Sequence, residues 1–227
     1  MRRVTWVGLV AAVAALGQVA GPANAGYRTS EGRAQVAAAL DAPDRDAKQK
    51  PVQLVEALGI QPGSTVVDLG TGAGYMLPYL SQAAGADGVV IAEDIQQDFL
   101  DRARGKAERE HLGNVRFVLG TDRDPGLPVG AADLVLVLDA YHHFDYPDRM
   151  LAKLADALRP GGRLAIVEYY KRRGAMPGDP DRPLTHIRLD ADDVIKEVEA
   201  NGFRLLKRRD HVPGSQYMAI FGFFGKK

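Results

Sequence analysis

The chain has 227 residues, 46% of them hydrophobic, enough to build a proper core in one large domain or two small ones. Lys+Arg and Asp+Glu both number 29, so no basic field recommends nucleic acid or an acidic membrane surface as a partner. Cysteine is absent, which excludes disulfides, thiolate metal sites and cysteine nucleophiles.

The first 25 residues read as a cleaved secretory signal. Arg2 and Arg3 make a basic start, "VGLVAAVAALG" is a short apolar core, and "PANA" ends in an Ala-x-Ala pattern at Ala23 to Ala25. The apolar run is too short and too rich in Ala and Gly to span a bilayer comfortably, so no stable membrane span is expected after cleavage. Export to the periplasm is the expectation, with a cytoplasmic or membrane-anchored protein if the segment is retained. Residues 26–44 are an N-terminal extension. Loss of Arg2 and Arg3 leaves 27 basic against 29 acidic side chains, a nearly neutral mature protein.

From Arg45 to Leu58 the apolar positions Val52, Leu54, Val55 and Leu58 predict one helix, with Pro51 tolerable in a first turn and Gly59 as its stop. Strand and helix patterns then alternate. "STVVDL", "GVVIAED", "NVRFVLG", "ADLVLVLD" and "GRLAIVEYY" read as strands, the last following a Pro160-Gly161-Gly162 turn. "GYMLPYLSQAA", "QQDFLDRARGKAERE" and "PDRMLAKLADAL" read as the helices between them. "DADDVIKEVEANGF", "RLLKRRDHV" and "QYMAIFGFF" add a helix and two strands. Nearly continuous apolar strands alternating with helices predict a doubly wound α/β domain from residue 45 to residue 227, with a mostly parallel sheet covered on both faces. Ligands of such sheets sit beyond the carboxyl ends of the strands, which collects Asp68 to Gly74, Glu93-Asp94, Thr121-Asp122 and Asp139 to His143 around one pocket. Lys171 to Pro183, rich in Pro and Gly, is a candidate lid.

Gly70-Thr71-Gly72-Ala73-Gly74 follows the first strand as G-x-G-x-G, one step short of the dinucleotide fingerprint. Asp68, at its mouth, would repel a pyrophosphate and welcome a cation. S-adenosylmethionine is a cation without phosphate, and Asp94 stands where a carboxylate can accept its ribose hydroxyls. Glu93 competes for that role, but strand alternation sends neighbours to opposite faces. Asp122 is a candidate acceptor for the adenine amino group.

Through "VVDLGTGAGY", "VVIAEDIQ", "VLGTD", "LDAYHHF" and "LRPGGRLAIVEY", in that order, the chain resembles the class I S-adenosylmethionine-dependent methyltransferases from about Gln49 to Phe224. The resemblance implies a Rossmann-like sheet of seven strands with the last antiparallel. It also implies S-adenosyl-L-methionine as methyl donor, and donor-binding residues at Asp68, Gly70, Thr71, Gly72, Gly74, Asp94, Ile95, Thr121, Asp122 and Asp139. The usual A-x-D-I pattern of the family favours Asp94 over Glu93.

The acceptor is narrowed by what is missing. Without cysteine there is no covalent cytosine chemistry and no iron–sulfur radical chemistry. "DAYHHF" is not the Asn/Asp-Pro-Pro-Tyr/Phe pattern of amino-methylating DNA enzymes, and "VEYYK" lacks the Asp-Asn pair of catechol-type magnesium sites. A small-molecule acceptor is expected, with no nucleic acid and no metal. His142 and His143 are the candidates for a general base or for orienting the acceptor. Tyr141, Tyr169 and Tyr170 are candidates for the same mouth. His186 and Arg188 are read as capping or flanking the next helix, His111 and His211 as surface residues, and Gln49 and Lys50 as minor candidates for closing over the donor. The competing function is a non-catalytic binder of S-adenosylmethionine or a related nucleoside on the same fold.

Overall fold

A computed structural model describes residues 18–225. Most of the expected leader, residues 1–17, lies outside the described residues. Among these, no helix is long and apolar enough to cross a membrane.

Seven strands form one sheet: β1 (Thr65–Leu69), β2 (Val89–Asp94), β3 (Val115–Leu119), β4 (Ala132–Leu138), β5 (Leu158–Tyr169), β6 (Phe203–Val212) and β7 (Gln216–Phe223). Their order is β3-β2-β1-β4-β5-β7-β6. The β1 to β5 neighbours pair in parallel, and β7 runs antiparallel to both β5 and β6. The doubly wound sheet with an antiparallel last strand is therefore present as the sequence leads one to expect. Parallel strands need crossovers, so their carboxyl ends emerge at one edge, and the chain reverses its strand order between β1 and β4.

Helices cover both faces. One core joins Leu54 and Leu58 of α3 (Pro51–Leu58), Leu77 and Leu80 of α4 (Leu77–Ala84) and Ala103 of α5 (Gln97–Arg109) to Val66, Leu134, Leu136 and Val167. The other packs Leu151 and Leu154 of α6 (Pro147–Ala157) and Val194 and Val198 of α8 (Ala191–Ala200) against Val67, Val135, Val137 and Ile166. Alternate residues of β1 and β4 thus enter opposite cores, the signature of a central strand buried on both sides.

Three local departures from the sequence reading bear on the site. The single helix over Arg45 to Leu58 is broken into α2 (Arg45–Gln49) and α3, because a residue before proline is driven out of the right-handed helical region. Lys50 adopts φ 49°, ψ 54° instead. The break points the buried Gln49 side chain at the sheet edge. The Pro160-Gly161-Gly162 turn is absorbed into the start of β5 as a bulge: Ala132 pairs with Leu158, and Leu134 already pairs with Arg163. The N-terminal extension forms α1 (Ser30–Leu40), capped by Thr29, whose hydroxyl accepts the Gly32 N–H at 3.0 Å.

Candidate functional site

At the carboxyl edge of the strands lie two adjoining cavities, of about 470 and 530 Å³. The first is floored by the glycine loop. Gly70, Gly72 and Gly74 all have positive φ (71°, 57° and 84°). A Cβ on Gly70 would stand 2.9 Å from Ala140 Cβ, and one on Gly72 would stand 3.2 Å from Leu40 Cδ1, so side chains there would fill the floor. The Gly74 Cβ would instead strike Leu77 at 2.9 Å and the Ala103 backbone at 3.1 Å, so this glycine serves the packing of α4 on α5.

Of the expected donor-binding residues, Gly70, Thr71, Gly72, Asp94, Ile95, Asp122 and Asp139 line this first cavity. Asp68, Gly74 and Thr121 sit behind it. Asp68 is buried beneath the loop and accepts the Thr71 hydroxyl at 2.7 Å. Thr121 closes its own turn, its hydroxyl accepting the Asp124 N–H at 3.0 Å.

Alternation does not separate Glu93 from Asp94. Asp94 Oδ2 accepts the Gly72 N–H at 2.9 Å and Oδ1 the Gln96 N–H at 2.9 Å. Glu93 Oε2 accepts the Gly70 N–H at 3.3 Å, and both residues line the cavity. The pleat ends at Asp94, and the loop, held by the Thr71 N–H on the Glu93 carbonyl at 2.8 Å, passes across both positions.

Burial governs the charges. It raises the carboxyls of Asp68 and Asp94 to about 6, against the opposing pull of the Thr71 hydroxyl on the first and of backbone N–H groups on the second. Glu93 is raised well above the usual carboxylate range by burial and by Asp94 beside it. Asp139 is raised too, by burial and then by the charge of Glu168. This residue has φ 51° and is clamped at the end of β4: Gln49 Nε2 donates to its Oδ2 at 2.6 Å and Gln216 Nε2 to its Oδ1 at 2.7 Å. Five carboxylate residues, Glu93, Asp94, Asp122, Asp139 and Asp145, share the wall with Arg28, Arg33 and Arg45, of which Arg33 is paired to Asp98 at 2.7 Å. A cation beside these raised carboxyls would draw them back toward ionisation, so the pocket suits a ligand that carries positive charge and no phosphate.

The second cavity is lined by Gln49, His142, His143, Tyr169, Arg182 and His186, among others, and shares Tyr27, Leu40, Arg45, Asp139 and His143 with the first. His142 is buried and donates its Nδ1–H to Glu168 Oε2 at 2.6 Å. His143 lies edge-on to Tyr27, ring centroids 4.7 Å apart. The Asn24 amide donates to the His143 carbonyl and to Asp145 Oδ2, each at 3.1 Å, so its Oδ1 accepts the His143 Nδ1–H at 2.8 Å.

Several side chains stand elsewhere than the sequence reading puts them. His186 does not cap α8. It ends α7 (Arg182–His186) and brings its Nε2 to 3.2 Å from His142 Nε2. Arg188 does flank α8, pairing with Glu197. His211 is half-buried and donates to the Gln49 carbonyl at 2.7 Å, whereas His111 is exposed as expected. Only Tyr169 of the three tyrosines reaches the mouth, because Tyr141 donates to Glu197 at 2.7 Å and Tyr170 to Asp210 at 2.5 Å. Gln49 belongs to the site and Lys50 is exposed. Met176, Pro177 and Arg182, from the segment expected to be a lid, line the second cavity.

Comparison with known proteins decides what this arrangement is. A family model described as a methyltransferase domain matches residues 66–162, the stretch from β1 to the start of β5. Residues 66–162 thus match a methyltransferase domain, with S-adenosyl-L-methionine as its methyl donor. Similar curated proteins include the ubiquinone/menaquinone biosynthesis C-methyltransferases UbiE of Vibrio vulnificus (30% identity over 118 residues, 52% of this chain and 45% of that protein) and Teredinibacter turnerae (27% over 123 residues, 54% and 49%). The chain thus matches about half the length of these curated relatives. Among solved structures, a SAM dependent methyltransferase from Aquifex aeolicus superposes with a TM-score of 0.75 at 27% identity, covering 82% of this chain and 96% of that one. The [4+2]-cyclase SpnF superposes at 0.66 with 19% identity, over 83% and 85%, a likeness of fold alone. The cavity fits that donor: it has a glycine floor that a Cβ would fill, apolar surface from Ile95 and Phe99, and more carboxyl groups than cationic side chains.

Proposed function

We propose that this protein is an enzyme that transfers a methyl group from S-adenosylmethionine in the first cavity to a small-molecule acceptor in the second. The observation that carries the reading is the shared wall: Tyr27, Asp139 and His143 border both cavities, so two ligands seated there would meet across them. The donor supplies a methyl carbon made electrophilic by its sulfonium, and what remains for the protein is to bring an acceptor atom into line and manage the acceptor's proton.

Gly70 and Gly72 let the methionyl end approach the backbone, Asp94 receives the ribose hydroxyls, and Asp122 receives the adenine amino group. The Gln49–Asp139–Gln216 clamp fixes a carboxylate at the junction where the sulfonium would sit. His142 and His143 act on the acceptor. Burial holds His143 well below the usual imidazole range, so it is neutral at pH 7 and keeps a lone pair available. The relatives named for C-methylation in ubiquinone and menaquinone biosynthesis support a small organic acceptor.

Titration of the purified protein with S-adenosylmethionine and with its demethylated product, followed by incubation with the small-molecule fraction of a cell extract, tests the reading. Tight binding that Asp94→Ala abolishes, with accumulation of the demethylated donor, is expected. Binding without turnover would establish the non-catalytic binder instead, and binding of a nicotinamide dinucleotide in preference would refute both.

We also propose export, on the basic start, apolar core and Ala-x-Ala pattern at the N-terminus. Asn24 holds His143 from within that segment, which favours a form that keeps residues 18–25 as the one with the complete site. N-terminal sequencing of fractionated protein tests both points.

A further inference from the structure

We propose that His142, His143 and His186 form a binding site for a divalent transition metal, zinc by preference, opening into the second cavity. One ligating nitrogen from each lies within 4.8 Å of the others. His142 Nε2 and His186 Nε2 are 3.2 Å apart, close to the about 3.3–3.4 Å edge of a tetrahedron with metal–nitrogen bonds of 2.0–2.1 Å, and no pair exceeds that edge by more than about 1.5 Å.

What distinguishes this cluster from histidines that merely crowd together is the shell behind it. Glu168 Oε2 takes the His142 Nδ1–H at 2.6 Å, and the same carboxylate is fixed by the Tyr169 N–H on Oε1 at 2.8 Å. Asn24 Oδ1 takes the His143 Nδ1–H, with the orientation of the amide set by its two acceptors on the other side. Two rings are therefore held as the tautomer that leaves Nε2 with its lone pair, the arrangement that metal-bound imidazoles need. Glu168 and His142 are nearly inaccessible, at 1% and 4% exposure, so this carboxylate–imidazole pair is built into the core and not assembled by chance at a surface.

All three rings line the second cavity, so three protein ligands leave a fourth position for a molecule bound there. An all-nitrogen set selects zinc, copper or nickel over magnesium and calcium, which take oxygen ligands. A metal is not what the sequence led one to expect, since His186 lies 44 residues from His142 and shares no motif with it. The site does not depend on methyl transfer and can be tested without donor or acceptor. Its bearing on the proposed function is that the histidines would act on the acceptor through the metal they hold, whose fourth position would take an acceptor atom.

The test uses the full chain purified without a histidine tag and stripped with chelator, titrated with Co²⁺ and followed by visible absorption, then with Zn²⁺ in competition. One equivalent of Co²⁺ with the intense bands of tetrahedral coordination, displaced by Zn²⁺ and not by Mg²⁺, is expected. His186→Ala, at a half-exposed position of a short helix, should lose the bands while keeping its thermal transition, and His111→Ala should keep both. Glu168→Gln should weaken binding about 10–100-fold. Absence of a Co²⁺ spectrum in the wild type, or a spectrum unchanged in His186→Ala, overturns the proposal and leaves a hydrogen bond between His186 and His142 as the whole content of the contact.

Discussion

Replacing Asp68 by Asn should make the unliganded protein more stable at neutral pH and bind its donor less well. Asp68 is 3% exposed, and burial raises its carboxyl from the ordinary 3.8 to about 6. A raised carboxyl means that between these two pH values the folded chain holds a proton that the unfolded chain has released. The resulting penalty is absent below about pH 4, grows up to about pH 6 and is complete above it. The gap between these two values corresponds to about 3 kcal/mol, an upper limit because Asn also gives up the charge-assisted bond from Thr71 Oγ1. For a domain of this size that is at most a rise of about 6–12 °C in Tm at pH 7.5, vanishing near pH 4. The assay is thermal unfolding of wild type and Asp68→Asn across pH 4 to 8, without and with S-adenosylmethionine. A cation bound in the cavity, with Asp68 behind the glycine loop, favours the ionised carboxylate through space, so the donor should raise the Tm of the wild type more than that of the variant, and more at pH 7.5 than at pH 5. A stability difference that does not change with pH, or an equal donor effect in both proteins, would refute the electrostatic account.

Asp94→Ala removes the acceptor for the Gly72 and Gln96 N–H groups as well as a cavity carboxylate, and calorimetry should show donor affinity falling by at least about tenfold. Gly74→Ala should cost about 2–4 kcal/mol in denaturant unfolding, from positive φ plus a clash with the Ala103 backbone, with the loss in stability and not in donor contacts. His143→Ala should depress turnover on the true acceptor while leaving donor binding within a few-fold, and near-wild-type turnover in both His142→Ala and His143→Ala would remove the histidines from the reaction.

The parallel, doubly covered sheet was readable because runs such as "ADLVLVLD" and "GRLAIVEYY" are apolar on both faces, as strands sandwiched between two helical layers must be. The glycine loop and Asp94 were readable because they are close in sequence and sit at the end of a predicted strand. The rest of the site comes from contacts across long stretches of chain. Gln216 meets Gln49 from 167 residues away and Asn24 meets His143 from 119, and no local pattern marks either amide. Gln49 was legible only as a minor candidate, because its contact with Asp139 depends on the break before Pro51, where periodicity alone continues the helix. The Asp94 and Glu93 ambiguity arose from extending alternation to the last residue of a strand, where the pleat no longer governs direction.

Residues 18–25, which the sequence offers for removal, wall the first cavity through Gln18, Gly21 and Asn24 and hold the His143 ring through Asn24. Protein made to begin at Gly26 would keep the sheet, both cores and the glycine loop. It would also give a normal melting curve and still lack the group that fixes the His143 tautomer. Such a sample would be well folded and poorly suited to an activity screen, and a negative result from it would speak about its first residue more than about its chemistry.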